Sequence, residues 1–265
     1  MPTDRGHRFG VDRAALLLDA FEGSDRLTLA QLVHKTGLPR SSAHRMLDRL
    51  VQLRWLHRED GYYELGTRLL ELGSLALHQS RLHQAALPFL HELHRVTGHV
   101  VHLAVLDGSD VVYLEKLGWG LAARLPSRVG WRQPAVRTSV GKAILAHLSP
   151  DELDRILAVE RRPHRTRAGP LDVRRMHAEL ARVRDRGVSI DHGETVHGIG
   201  CLGTPVGATG AVIAAVSVCG PISEVPADYL LAGPLRFAAQ GIWRRYKDRG
   251  PGIAPGPRSL GSVTP

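Results

Sequence analysis

The sequence predicts an α+β protein in two parts: an N-terminal winged helix-turn-helix, then a linker helix leading to a larger unit of antiparallel strands with helices around them. Three observations predict it. Residues 10–66 hold three amphipathic helical patterns followed by an Asp-Gly turn between β-formers. Beyond Gly98 the texture changes, and β-rich runs alternate with helical patterns. The charge is also uneven: Arg26–Arg58 carries seven Lys/Arg against one acid, Asp48, while Asp19, Glu22 and Asp25 precede it and Glu59, Asp60 and Glu64 follow.

Each element has a local reason. Apolar residues at 11, 14, 15, 18 and 21 share one helical face, and Gly23-Ser24-Asp25 stops that helix. Thr28 caps a second helix, Leu29 to about Thr36, with Gln31 placed to complete a capping box. Gly37-Leu38-Pro39 turns the chain. Ser41 opens a third helix to about Gln52, with Ala43, Met46, Leu47, Leu50 and Val51 as its apolar stripe. Trp55–His57 and Tyr62–Leu65 flank Arg58-Glu59-Asp60-Gly61 as a hairpin, the wing. Leu69, Leu70, Leu72 and Leu75 give a linker helix within residues 67–80.

The second part, residues 81–249, opens with a helical pattern from Leu82 to about Val96, interrupted by Pro88 and closed by Gly98. Strands are expected at Val100–Leu106, Val111–Leu117, Val188–Asp191, Ile199–Val206 and Ala211–Val218. Thr138–Leu148 is an apolar helix. Ser149-Pro150-Asp151-Glu152 is a helix start with cap, proline and returning carboxylate in order. Leu171–Arg186 is a basic amphipathic helix, and a final helix runs from near Pro226 to about Arg249. Residues 1–9 form an N-terminal extension, and the Gly/Pro-rich stretch 250–265 is expected to be disordered.

Composition narrows the class. With 43% hydrophobic residues among 265, a real core is available. The longest apolar stretch, Ala211–Cys219, falls far short of the roughly 20 residues of a membrane helix. The N-terminus lacks the apolar segment of a secretory leader. Cys201 and Cys219 are too few for a disulfide framework or a four-cysteine zinc site, so a reducing cytoplasm is expected, with no metal and no cofactor. The net charge of +9 favours a polyanionic partner. A second basic run, Arg161–Arg186, has nine Arg against three acids and reads as a solvated helix face.

The first basic run carries the chemistry. The second helix of a helix-turn-helix enters a major groove while the first braces it. Its groove-facing positions must be polar and its opposite face apolar, which Ser41–Gln52 satisfies. The DNA-contact candidates are Arg40, Ser41, Ser42, His44, Arg45, Arg49 and, on the wing, Arg58. Arginine takes guanine through two hydrogen bonds, and hydroxyls near a helix start suit phosphates. Arg54 belongs near the wing as well. The partner implied is double-stranded operator DNA; the competing pattern is a helical bundle with a charged face.

The run Leu29–Leu50, followed by Gly61-Tyr-Tyr-Glu-Leu-Gly66, resembles the helix-turn-helix and wing of the IclR (isocitrate lyase regulator) family. Arg137-Thr-Ser-Val-Gly-Lys-Ala-Ile-Leu-Ala146 is similar to that family's Gly-Lys-Ala helix. Gly187–Val206 resembles its signature segment, and Ala214–Pro221 the strand that follows. The likeness spans about residues 10–246. It implies a bacterial transcription regulator with a GAF-like α/β effector-binding domain, a homodimer or homotetramer. By motif it points to Ser139, Val140, Asp191, Cys201, Ser217 and Cys219 as effector contacts. The effector implied is a small organic acid or an aromatic metabolite. Cys219 stands where many relatives have serine, and a thiol is the poorer donor, which weighs against a small carboxylate. Amides near Gly141 at a helix start offer an anion an alternative hold.

Other motifs fail their context. Gly198-Ile-Gly-Cys-Leu-Gly203 spells G-x-G-x-x-G but precedes Thr204-Pro205-Val206 rather than a helix. Gly141-Lys142 is followed by Ala143, not the Ser or Thr of a phosphate loop. His91, His94 and His99 lack the spacing of a helical zinc site. A Cys201 nucleophile served by His192 or His197 stays open on sequence alone. The alternative to a regulator is therefore a small-molecule-binding protein or cysteine enzyme whose N-terminal helices only oligomerise. Operator and direction of regulation are not encoded in any motif here.

Overall fold

A computed structural model describes residues 10–118, 120, 125–160, 171–225 and 229–248. The expected 1–9 extension, the 250–265 tail and the 161–170 part of the second basic run lie outside the described residues. The chain divides into two compact units between Gln79 and Ser80.

The first unit runs α1 (Gly10–Asp19), β1 (Arg26–Thr28), α2 (Leu29–Thr36), α3 (Arg40–Gln52), β2 (Leu56–Glu59), β3 (Tyr62–Leu65) and α4 (Thr67–Gln79). The capping box forms: Thr28 Oγ1 accepts the Gln31 amide at 3.3 Å and Gln31 Oε1 accepts the Thr28 amide at 2.8 Å. A cap of this kind contributes about 1 kcal/mol. The apolar sides of α1–α3 meet Leu56 and Tyr63 of the hairpin in one core around Leu17, Leu32, Ala43 and Leu47. Glu59 pairs with Tyr62 across Asp60-Gly61, both at positive φ (48° and 80°), the geometry that matches the twist of two antiparallel strands.

Two details differ from the sequence reading. Helix α3 starts at Arg40, one residue before Ser41, with Pro39 at its cap and no side-chain cap bond. Arg26–Thr28, which has no strand signature of its own, pairs with the free edge of β3 (Leu27 opposite Tyr63), giving the sheet order β1-β3-β2. Three residues are too few to show a period, so only the packing of buried Leu27 identifies them. Helix α4 clusters with this unit and buries none of its residues.

The second unit begins with α5 (Arg81–Thr97), which runs unbroken through Pro88. An interior proline costs roughly 3 kcal/mol. Here Pro88 faces solvent while Leu82, Ala85, Ala86, Leu90 and Leu93 are buried on both sides of it, and that apolar face outweighs the break. The strands are β4 (Val100–Asp107), β5 (Asp110–Leu117), β6 (Arg132–Pro134), β7 (Ser189–Asp191), β8 (Ile199–Ala208) and β9 (Ala211–Pro221). They form one antiparallel sheet in the order β6-β5-β4-β9-β8-β7. The short edge strand β6 and the 3-10 turn after it, Ala135–Arg137, carry no sequence pattern and were not expected.

Helices cover both faces. α5 and α9 (Ala232–Asp248) pack on the side that presents Val101, Leu103, Leu202, Val216 and Val218. α6 (Ser139–Leu145), α7 (Pro150–Glu160) and α8 (Val173–Arg186) cover the side that presents Ala104, Val111, Tyr113 and Ala215. The final helix begins at Ala232 after a 3-10 turn at Tyr229–Leu231 rather than near Pro226; residues 226–228 and 249 lie outside the described ones. On α8, Met176, Leu180 and Val183 are buried and Arg174, Arg175, Arg182, Arg184 and Arg186 are exposed, the solvated face expected there. Among the described residues no helix is long and apolar enough to cross a membrane.

Candidate functional sites: a basic groove and a polar cavity

In the first unit, α3 and the hairpin enclose an open groove. Arg40, Ser41, His44 and Arg45 line it from the helix, Arg58 from the wing. Five of the seven expected DNA contacts therefore share one surface. Ser42 and Arg49 do not: Ser42 Oγ accepts a bond from Arg13 at 3.4 Å, and exposed Arg49 donates to Gln52 at 3.0 Å. Asp48 orders the groove, holding His44 Nδ1 at 3.1 Å and Arg58 at 3.8 Å, and Arg58 also lies over the Tyr63 ring. Arg45 is exposed and uncommitted among the described residues. Arg54 departs from expectation: it bonds Glu71 at 2.6 Å and Thr67 at 3.2 Å on α4, so it ties the wing to that helix. Arg68 and Arg54 together hold the Glu71 carboxyl below the usual carboxylate range.

In the second unit, strand alternation and register build a cavity. Side chains alternate between the two faces of a sheet. His102, Ser217 and Cys219 therefore lie on the face opposite Leu103, Val216 and Val218. Register then aligns them: Asp191 pairs with Cys201, Cys201 with Cys219, and Ser217 with both Gly203 and His102. The start of α6 closes down on this row. Gly203 permits it, since a Cβ there would stand 2.8 Å from the Ser139 backbone, and Ser189 Oγ donates to the Ser139 carbonyl at 2.6 Å. The cavity, open at its mouth, measures about 430 Å³ with that mouth included. All six positions singled out from the sequence, Ser139, Val140, Asp191, Cys201, Ser217 and Cys219, line it.

The rest of the wall was not legible in advance. His102, Tyr113, Ser127, Gln133 and Thr138 add polar atoms; Leu125, Pro126, Val196 and Ile199 add apolar ones, and Thr195 sits beside Val196. The one available hint was His102, a lone histidine inside the apolar run Val100–Leu106. Its Nε2 meets Ser127 Oγ at 2.9 Å, and burial, helped by the Lys116 charge, pushes its pKa down to about 3. It is thus a neutral imidazole. Tyr113 donates to Gln133 Oε1 at 3.0 Å, and burial, with the Asp191 charge nearby, raises its pKa well above the ordinary phenol value. Asp191 is 3% exposed; desolvation raises its pKa, against the Glu194 and Gly193 amides that its carboxylate accepts.

Three expectations are corrected here. Cys201 and Cys219, read as separate thiols, are joined as a disulfide, because β8 and β9 place them directly opposite each other with Cα atoms 4.2 Å apart. Cys201 has no nucleophile's partner in His192 or His197, which are exposed; the histidine near the sulfurs is His102, 3.6 Å from Cys219. The Gly141 amide is not open to an anion, since Thr138 Oγ1 accepts it at 3.0 Å. Gly141 serves packing instead: a Cβ would overlap the Ala135 carbonyl. The G-x-G-x-x-G run forms the start of β8, as its context required.

A basic groove beside α3 on one unit and a largely polar cavity in the other agree with what known proteins of similar sequence are. Residues 10–60 match the IclR helix-turn-helix domain and residues 74–244 the bacterial transcriptional regulator IclR C-terminal domain. The HTH-type transcriptional regulator XynR of Escherichia coli is 34% identical over 219 residues, 81% of this chain and 87% of its own. The transcriptional repressor IclR of Escherichia coli is 29% identical over 78% of this chain and 77% of its own. Among solved structures, an IclR homolog from Microbacterium hydrocarbonoxydans complexed with 4-hydroxybenzoate superposes with a TM-score of 0.77 at 30% identity, covering 90% of this chain and 99% of that one. These relatives are regulators with a DNA-binding helix-turn-helix and an effector-binding C-terminal domain, not enzymes. This chain belongs to the IclR family of bacterial transcriptional regulators.

Proposed function

We propose that α3 docks in the operator major groove through Arg40, Ser41, His44 and Arg45, with Arg58 of the wing on the adjacent backbone, and that a small metabolite in the Ser139–Asp191–Ser217 cavity modulates this binding. One observation carries the effector half: six positions from three separate segments converge on a single buried cavity. Its neutral imidazole, hydroxyls and apolar patches suit a small ring or short chain bearing a hydrogen-bonding group. The 4-hydroxybenzoate held by the Microbacterium homolog is a ligand of that description. Asp191 would meet a donor on the ligand rather than a second carboxylate.

The working unit is a homodimer, since two heads are needed to read two half-sites. Supporting this, α4 exposes Leu70 (74%) and Leu75 (49%) and buries nothing. The charge, the family and the lack of an apolar spanning helix among the described residues support a cytoplasmic site of action. The test is a gel shift on DNA upstream of the protein's own gene, repeated with a metabolite panel that includes 4-hydroxybenzoate, with light scattering for the oligomer. No specific shift would refute the DNA assignment. A specific shift that no cavity variant can decouple from the active metabolite would refute the cavity.

A further inference from the structure

Among the described residues of the second unit Lys142 is the most deeply buried charged side chain, 0% exposed. A buried ammonium is costly unless paired and hydrogen-bonded. Lys142 has two carboxylates, Glu179 of α8 at 2.7 Å and Glu194 at 2.5 Å, and the Ile190 carbonyl at 3.5 Å. Neither Lys142 nor Glu194 lines the effector cavity. Glu194 does belong to the connection between β7 and β8, residues 192–198, and the next two residues, Thr195 and Val196, form part of the cavity wall.

That connection is also held at its ends, where the Ile222 amide donates to the Gly198 carbonyl at 2.9 Å and the Ile199 amide to the Val196 carbonyl at 3.1 Å. The Glu194 amide donates to Asp191 Oδ1 at 2.7 Å, and Thr195 Oγ1 donates to the Arg137 carbonyl at 2.8 Å. Most of its side chains are exposed, and Gly193 and Gly198, at φ 83° and 79°, bracket the stretch that carries Glu194, Thr195 and Val196. Such conformations are open to glycine at no steric cost, which lets the chain turn sharply at both ends of the stretch. We propose that the Lys142–Glu194 ion pair is the positioning contact that holds Thr195 and Val196 as a wall of the cavity, and thereby sets access to it, while the Lys142–Glu179 pair ties Lys142, on α6, to α8. This rests on the cavity being the effector site, but the wall can be tested without any effector.

Cys201 and Cys219, which line the same cavity from β8 and β9, provide the reporter. The full-length protein is reduced, and the rate of modification of the two thiols by a small maleimide is measured under native conditions by mass spectrometry. Glu194→Gln should raise the rate about tenfold, as expected for loss of one partly solvated charge-assisted hydrogen bond. Glu194→Asp, which keeps the charge, should fall between. Glu179→Gln leaves Glu194 on Lys142 and should raise the rate clearly less than Glu194→Gln does; because the two carboxylates share Lys142, a partial rise is expected. Melting temperature, followed in parallel, separates local opening from unfolding. Unchanged labelling in Glu194→Gln overturns the proposal, as does an equal rise in both variants or a rise that tracks melting temperature. A failure of the effector reading would appear separately, as no metabolite binding to wild type, and would leave these rates untouched.

Discussion

Asp191 supports two separable jobs, and two substitutions split them. Its carboxylate accepts the Glu194 amide at 2.7 Å, a turn bond that an asparagine carbonyl can still accept. Its charge is what burial penalises, since desolvation leads the causes that raise its pKa. Asp191→Asn therefore keeps the turn and removes the penalty, and should melt within about 1 kcal/mol of wild type at pH 7. Asp191→Ala strands the amide and should cost about 1–3 kcal/mol. At about 2–4 °C per kcal/mol for a chain of this size, the two are resolvable by circular dichroism. The pH dependence sharpens the distinction. An acid whose native pKa exceeds its unfolded value binds its proton more tightly when folded. Stability then falls as pH rises from the ordinary carboxylate range to the raised native value. Asp191→Asn should flatten that decline. In effector titrations followed by gel shift, both variants should respond poorly while ligand-free operator binding persists. An asparagine variant as unstable as the alanine one, or with the wild-type pH slope, would refute the reasoning about burial. A normal effector response in both would refute the ligand role.

Other outcomes follow from the same geometry. Operator binding should lose roughly three decades between 50 and 200 mM salt if a dimer neutralises about six phosphates; a flat response in anisotropy titrations contradicts the charge argument. Arg45→Ala should cost about 1–3 kcal/mol of operator affinity per half-site with no change in melting, because Arg45 is exposed and uncommitted among the described residues. Arg54→Ala removes one of the two arginine partners of exposed Glu71 and leaves Arg68 in place, so the melting temperature of the first unit should fall only slightly; a large drop in thermal denaturation would contradict this. Gly141→Ala, which drives a Cβ into the Ala135 carbonyl, should destabilise the second unit by several kcal/mol, beyond about the 3 kcal/mol upper range of ordinary overpacking, and a soluble variant of wild-type stability would refute the close approach. A fragment of residues 80–265 should fold cooperatively and bind the effector unaided, as its own sheet and helices bury the core; an unfolded fragment would move the boundary.

Local rules carried much of this chain. The Thr28–Gln31 capping box, the α3 stripe, the Asp60-Gly61 hairpin and most strands of the second unit follow from residue periodicity and turn chemistry, because each depends on neighbours a few positions away. Resemblance of three short motifs named six positions that do meet in one cavity. What only the tertiary structure decided are meetings between distant segments. β1 exists because β3 offers an edge, and Pro88 stays helical because the residues around it are buried. Cys201 faces Cys219 because β8 and β9 pair in one register and not a neighbouring one; a slip of one residue would have put the two on opposite faces of the sheet. His102, Tyr113, Ser127 and Gln133 enter the cavity from strands and loops that share no pattern. Lys142, read in sequence as part of the Gly-Lys-Ala helix and as a failed phosphate loop, finds Glu194 from 52 residues away. Periodicity tells which face of an element is apolar. Which polar group lies behind that face depends on how the elements pack, and that is a property of the whole fold.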